Sequence, residues 1–441
     1  MAHAVWIVAA MTLGFAPDEG VILRETSGGT ARVLIEMTAE GTSRYEPPSG
    51  SPKTTQATKP HPLKIESRLD FVERVLDREA DGSAKRSARR VIEAAAAVAG
   101  ERGGLHKLRP EVALLVADRR AEGVVVVSTG GPLSRWELEL VQVPGDPLAL
   151  GGLLSDRAVK VGEKWPVSLA AAKTLSEYDT VVTNGLEAKL DVLTEASATI
   201  RIGGSVKGSA RGGDGEIRIT GTLLFDRKAN RIRKIELSRD ETRKQGFVEW
   251  ALDVKSRLLV EKTDGEATSA LSDDALAALP KDNEPQRERL LLESPDARYT
   301  IEHDRDWHVM YESPKQVVLK RIDKTGMVAQ CNLAVGPKVG KGGHQNLDEF
   351  RNDIKKALGA RFVAIAEEGE VDGLPSGGFR YKIGVSGREG TRDVIWYYYL
   401  IASPEGEQLL ATFTLDAASL ERFGAEDEAL IGALEWKAAG R

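Results

Sequence analysis

The chain has 441 residues, more than one hydrophobic core usually serves, so two domains are expected. Its 61 Lys plus Arg stand against 67 Asp plus Glu, a formal net charge of −6 with both signs interspersed. That balance offers no basic field for nucleic acid or an acidic membrane surface, and the one short basic run, Lys85 to Arg90, reads as the solvated face of a helix.

In chain order, an apolar run from Ala4 to Ala16 is closed by Asp18 and Glu19. Its length matches a secretory signal core and is too short to span a bilayer, so residues 1–16 are expected to be a signal peptide. Export to the periplasm or beyond follows, with no transmembrane span in the mature chain. No Lys or Arg precedes the run, which leaves a buried strand as the other reading. The alternation of Val21 and Leu23, then Val33, Ile35 and Met37, around Ser27-Gly28-Gly29 predicts a hairpin. Thr42 to Pro62 is rich in Pro, Ser and Thr and predicts a disordered insertion. Leu63 to Val75 resumes the two-residue period. Ser83 to Ala99 predicts a helix with Ala88, Val91, Ile92, Ala95 and Ala99 on its apolar face.

Glu111 to Asp118 and Gly123 to Thr129 predict a hairpin turning through Arg119 to Glu122, and Ser134 with Glu137 has the form of a capping box opening a short helix. From Val161 to Lys262 strand follows strand, an antiparallel meander with Ile217, Ile219, Thr222 and Leu224 on one apolar face. Leu190, Val192, Ile200, Ile202, Leu252 and Val254 are further inward residues. Such a sheet must curl over something apolar, and the segments Ser83 to Ala99 and Ser134 to Leu154 are expected to fill it. The stretch 264–298, acidic and proline-containing, reads as a linker with two helical turns at Asp273 to Leu279. It separates a curved β domain at 17–263 from an α+β domain at 299–441. In the latter, strands flank a helix at Leu347 to Leu358, capped by Asn346 and Glu349, and a last helix ends near Trp436. The run VIWYYYLIA, Val394 to Ala402, is too continuously apolar for a strand with one wet face, so both its faces must be covered.

The pieces "YTIEHDRDWHV", "LDEFRNDIKKALG" and "VIWYYYLIASPEGEQLLATFTL" with the closing helix resemble, in element order and apolar pattern, the PsbP-like α/β/α sandwich family. The resemblance covers about a third of the chain and implies a non-catalytic binding or assembly module. It carries over no functional residue. The meander is similar, in shape alone, to the curved half-barrels of LolA-like periplasmic lipoprotein carriers.

The stretch GPKVGKGGHQNLDEF, Gly336 to Phe350, suggests a phosphate-cradling loop. A P-loop needs Gly, four residues, then Gly-Lys-Ser/Thr. Here three residues separate Gly336 from Gly340, and Gly342 follows Lys341 where a hydroxyl is required. No nucleotide is therefore expected. His303, Asp304, Asp306 and His308 could supply metal ligands, but on a strand the two histidines face opposite ways, and a solvated turn is the favoured reading. The single cysteine, Cys331, lies in an apolar strand, which predicts a buried, inert thiol, and no disulfide can form within the chain. No GxSxG or HExxH spacing occurs. The expectation is an exported, non-enzymatic binding or assembly module acting on another envelope protein, with no catalytic, cofactor-binding or metal residues and no cofactor. A carrier of an apolar ligand in the concave sheet is the alternative, and an enzyme with a dispersed site a third.

Overall fold

The structure, a computed structural model, describes residues 20–26, 28–46, 59–99, 104–266, 268–279, 285–371 and 377–437. The apolar run at Ala4 to Ala16 and residues 47–58 of the insertion lie outside them.

Thirteen strands form one antiparallel sheet. They are β1 Thr30–Arg44, β2 His61–Arg78, β3 Ala84–Ala99, β4 Gly104–Lys107, β5 Leu114–Arg120, β6 Gly123–Ser128 and β7 Lys164–Pro166, then β8 Thr180–Asn184, β9 Glu187–Leu193, β10 Ser197–Ala210, β11 Gly213–Asp226, β12 Arg231–Arg243 and β13 Ala251–Asp264. Their order is β6-β5-β3-β2-β1-β13-β12-β11-β10-β9-β7, with β4 on β3 and β8 on β10. The pairing of β1 with β13 joins the two halves, from Ala31↔Asp264 to Arg44↔Ala251. Register puts Ile35 beside Leu69 and Val260, Val260 beside Ile235, and Ile235 beside Leu223. One face is thus apolar across the strands, as period-two alternation requires. Helices α1 Arg135–Val141, α2 Pro147–Leu150 and α3 Leu169–Ser176 cover that face with Leu138, Leu140, Val141, Leu148, Leu150, Ala171 and Leu175. Gly145 lets the chain between α1 and α2 lie directly on the sheet, since a Cβ there would stand 2.7 Å from Val260 Cγ2.

Several expectations are corrected. Ser83 to Ala99 is not a helix but β3, paired along its length with β2. Alanine's helix preference is outweighed by the ladder, and small side chains let α1 pass over the strand. The basic run is not a solvated face either: Arg89 is 2% exposed, pointing inward opposite Glu73. The expected pairing of Val21 and Leu23 with Val33 to Met37 is not found among the described residues: Val21 bridges Val159, and β1 takes β2 and β13 as its neighbours. Within the expected insertion, Thr42 to Arg44 complete β1 and His61 begins β2. Helix α3 interrupts the expected run of strands after Pro166. Gly221 and Leu223, not Thr222 and Leu224, continue the inward phase of Ile217 and Ile219, because no bulge shifts that stretch. A bulge between Thr199 and Ile200 does shift the register against β9, and Val192 is 52% exposed.

The expected linker has its helical turn, α4 Asp273–Ala277, where it was read, but also carries the unexpected strand β14 Leu290–Glu293, whose Leu290 is buried and bridges Leu133. Strand β14 pairs with β15 Tyr299–His303, and β15 with β23 Leu434–Trp436, so the chain ends its described part in a strand where a helix was expected. The remaining strands are β16 Trp307–Ser313, β17 Gln316–Asp323, β18 Gly326–Val335, β19 Phe362–Glu370, β20 Phe379–Glu389, β21 Arg392–Ala402 and β22 Gln408–Asp416. They form a second antiparallel sheet, ordered β16-β17-β18-β22-β21-β20-β19. Helix α5 Leu347–Leu358 has the expected bounds and sets Phe350, Ile354 and Leu358 against Ile383, Trp396 and Leu400. On the opposite face Tyr399, Ile401 and Phe413 meet Phe423 and Leu430, carried by α6 Leu420–Phe423 and α7 Glu426–Gly432. Strand β21 is therefore covered on both sides, as its continuous apolarity predicts.

Candidate functional site

The apolar face of the large sheet is covered by α1, α2 and α3, with space left beside them. What fixes these helices is a set of buried charges. Arg89 donates to both carboxylate oxygens of Asp146 at 2.7 Å, its guanidinium 5.0 Å from the Phe71 ring centroid, and both partners are 2% exposed. The Asp146 carboxylate also caps α2, accepting from Leu148 N at 3.0 Å. Beside it, Lys262 bridges Glu25 at 2.9 Å and Glu73 at 3.0 Å.

Helix α1 starts at the capping box read from the sequence. Ser134 Oγ accepts from Glu137 N at 3.2 Å, and Glu137 Oε2 accepts from Ser134 N at 2.8 Å. Arg109 locks Glu137 through Nε and Nη2, at 2.7 and 2.8 Å. The helix is thereby held as a beam across the concavity, with space on either side.

On one side lies an apolar chamber of about 270 Å³, walled by Ile35, Met37, Leu69, Ala96, Leu140 and Leu258. Its edge carries Trp136, 46% exposed and stacked on His106 at 3.9 Å. On the other lies a charged cavity of about 560 Å³, lined among others by Arg135, Tyr178, Arg211, Glu241, Arg305 and Asp306. Glu139, Gln142, Val143, Glu177, Arg211 and Glu249 line both spaces, so the two adjoin across these residues. The junction is paired internally: Arg211 engages Glu249, Arg243 Nη2 lies 2.6 Å from Glu249 Oε2, and Arg239 holds Glu177 at 2.9 Å. Arg211 stands in the tight β10–β11 turn with φ 48°, held there by its N–H donating to Asp179 at 2.6 Å.

Burial moves the charges of this wall. It raises the Glu241 carboxyl, against the pull of Arg243, and desolvation at the cavity mouth shifts Glu139 and Asp306 the same way although both reach solvent, Glu139 being 41% exposed. It pushes the Arg135 and Arg305 guanidiniums down to about 10, Arg211's charge adding to the effect on Arg135. Three polar atoms here are buried without a hydrogen bond, Arg135 Nε, Tyr178 Oη and Glu241 Oε1, the last 3.6 Å from Arg243 Nε. The arrangement combines an apolar pocket with a few convergent polar groups, the usual composition of a small-molecule site.

The residues singled out in the sequence fall otherwise. His303 is 3% exposed, not solvated, with Nδ1 2.8 Å from Asp304 O. The turn brings His303 and His308 near enough to repel, and burial together with Arg135 lowers them to about 4 and about 3. Cations beside them disfavour a metal, and no cluster of metal-binding side chains occurs among the described residues. Lys341 is surface-exposed and pairs with Glu405 at 3.0 Å, while Gly342 N donates to Pro404 O and Gly343 N to Gly340 O, so the loop's amides face protein. Cys331 is fully buried in β18, as read. Arg135 and Glu139, four apart on the short helix, were the available sequence signal for the cavity; Arg211 gave none beyond its place in a turn.

No family model matches the chain. No curated protein matches it either. Among solved structures, a protein of Bacteroides thetaiotaomicron is similar over 34% of this chain and 49% of its own, at 14% identity and a TM-score of 0.24. Lipovitellin is similar over 56% of this chain and 26% of its own, at 6% identity and a TM-score of 0.31. OccK5 of Pseudomonas aeruginosa overlaps 90% of this chain and 98% of its own, at 7% identity and a TM-score of 0.13. This chain thus spans about half and about a quarter of the first two. These overlaps are too slight to assign a fold family.

Proposed function

We propose that this protein is a non-enzymatic binding module of the cell envelope whose concave sheet carries an apolar or amphipathic small molecule. The observation that carries this reading is the chamber beneath α1. With β3 in the sheet instead of a helix packed on it, an apolar space of about 270 Å³ stays open next to the charged one. The expected filling of the concavity loses its main plug, and the carrier alternative gains what it lacked. Export rests on the Ala4 to Ala16 run. No helix among the described residues is long and apolar enough to cross a membrane. The helices on both faces of the second sheet support the PsbP-like reading of the C-terminal part as a separate assembly unit, with another envelope protein as its partner.

The test is binding of a neutral apolar fluorophore such as phenylnaphthylamine to the full chain, with native mass spectrometry of protein from its host. Ala96, 9% exposed and on the chamber wall, is the place to block it. Wild type is expected to bind the fluorophore and Ala96→Trp to lose at least tenfold in affinity. A wild type that neither binds it nor retains an amphiphile ends the carrier reading.

A further inference from the structure

The charged cavity holds two guanidiniums that no carboxylate among the described residues meets at ion-pair distance. Arg135 Nη2 donates to Trp307 O at 2.9 Å and to Arg305 O, and its Nε is buried without a partner. Arg305 gives three of its five N–H donors to neutral oxygens: Glu288 O at 2.8 Å, Val126 O at 2.6 Å and Gln142 Oε1 at 3.2 Å. The acids around them are engaged elsewhere, Glu288 by Arg120 at 2.6 Å, Glu177 by Arg239, Glu249 by Arg211 and Arg243. Glu139, a helical turn from Arg135, sits 3.7 Å from Arg211 instead. A half-buried cation without an ion-pair partner favours a site for an anion. Both guanidiniums line the cavity that adjoins the apolar chamber.

Resting on the carrier reading, we infer that the ligand is a single-chain amphiphile with an anionic head, carboxylate or phosphate, held by Arg135, with its chain in the chamber beneath α1. Arg135 Nε is enclosed and Nη2 is engaged, so Nη1, with no hydrogen bond among the described residues, is the group that meets either head. Arg305 adds its charge and the N–H groups its three bonds leave over. Glu139 and Asp306 supply opposing charge from beyond ion-pair distance, so removing Glu139's charge should favour the anion.

The experiment compares laurate, dodecyl phosphate, dodecanol and dodecylamine as displacers of phenylnaphthylamine from the full chain. The two anions are expected to displace at concentrations at least tenfold lower than the alcohol and the amine. Laurate against dodecyl phosphate tells which head is preferred. Arg135→Gln should remove the anion advantage while leaving dodecanol unchanged, and Glu139→Gln should tighten laurate severalfold. If Arg135→Gln fails to fold, the head-group series and Glu139→Gln still decide. Equal displacement by all four, or preference for the amine, overturns the anionic head and leaves the carrier reading standing. No displacement by any of them, with no fluorophore bound at the start, removes both.

Discussion

Asp146 is the position at which the buried charges can be weighed most directly. Its carboxylate has two roles, the bidentate partner of Arg89 and the cap of α2, and both residues are 2% exposed. Asp146→Asn keeps a side chain that caps a helix as well as Asp does, but leaves Arg89 with only Glu73 at 3.6 Å. Stranding a buried charge costs about 3 to 5 kcal/mol, and Glu73 offsets part of it, so a loss of about 3 kcal/mol is expected. Asp146→Ala removes the cap as well and should cost about 1 kcal/mol more. Adding Arg89→Met to Asp146→Asn removes the stranded cation, and the double variant should recover at least half of the loss. Urea unfolding followed by tryptophan fluorescence and circular dichroism measures all three, with m-values compared for a shared unfolding process. An Asn variant within about 1 kcal/mol of wild type, or a double variant no better than the single, would refute the view that this pair pins the helices over the concavity.

The histidines give the acid response. Their folded values, about 4 for His303 and about 3 for His308, lie below the ordinary 6.5, so the unfolded chain binds more protons. Their contribution is complete above about pH 6.5 and is lost as pH falls toward 4. By pH 5 His303 alone should forfeit about 2 kcal/mol, and His308→Gln should flatten the decline in urea midpoint between pH 7 and pH 5; an unchanged slope counts against it. Cys331, whose thiol burial pushes well above its ordinary value, should not react with a thiol reagent in the native protein and should give one equivalent after unfolding. Rapid native labelling would show that β18 opens.

How much of this was legible in the chain follows from the range of the forces involved. Local chemistry determined the capping box at Ser134 and Glu137, the bounds of α5, the strands from β9 to β13, and the covering of β21 on both faces, because each depends on neighbours within a few residues or on a hydropathy period. The fate of Ala84 to Ala99 could not be read this way. Its alanines favour a helix in isolation, and only pairing with β2 and the burial of Arg89 against Asp146, 57 residues away, make it a strand. The cavity is a consequence of that one reversal, since a strand lies in the wall where a helix would have filled the space. Its charged lining is likewise tertiary: Arg135 stands on α1, Arg211 in the β10–β11 turn and Arg305 between β15 and β16. No spacing in the sequence relates the three, because what brings them to one wall is the packing of α1 on a thirteen-stranded sheet and the docking of the β14–β15 segment, through Arg305 on Val126 O, against its edge strand β6.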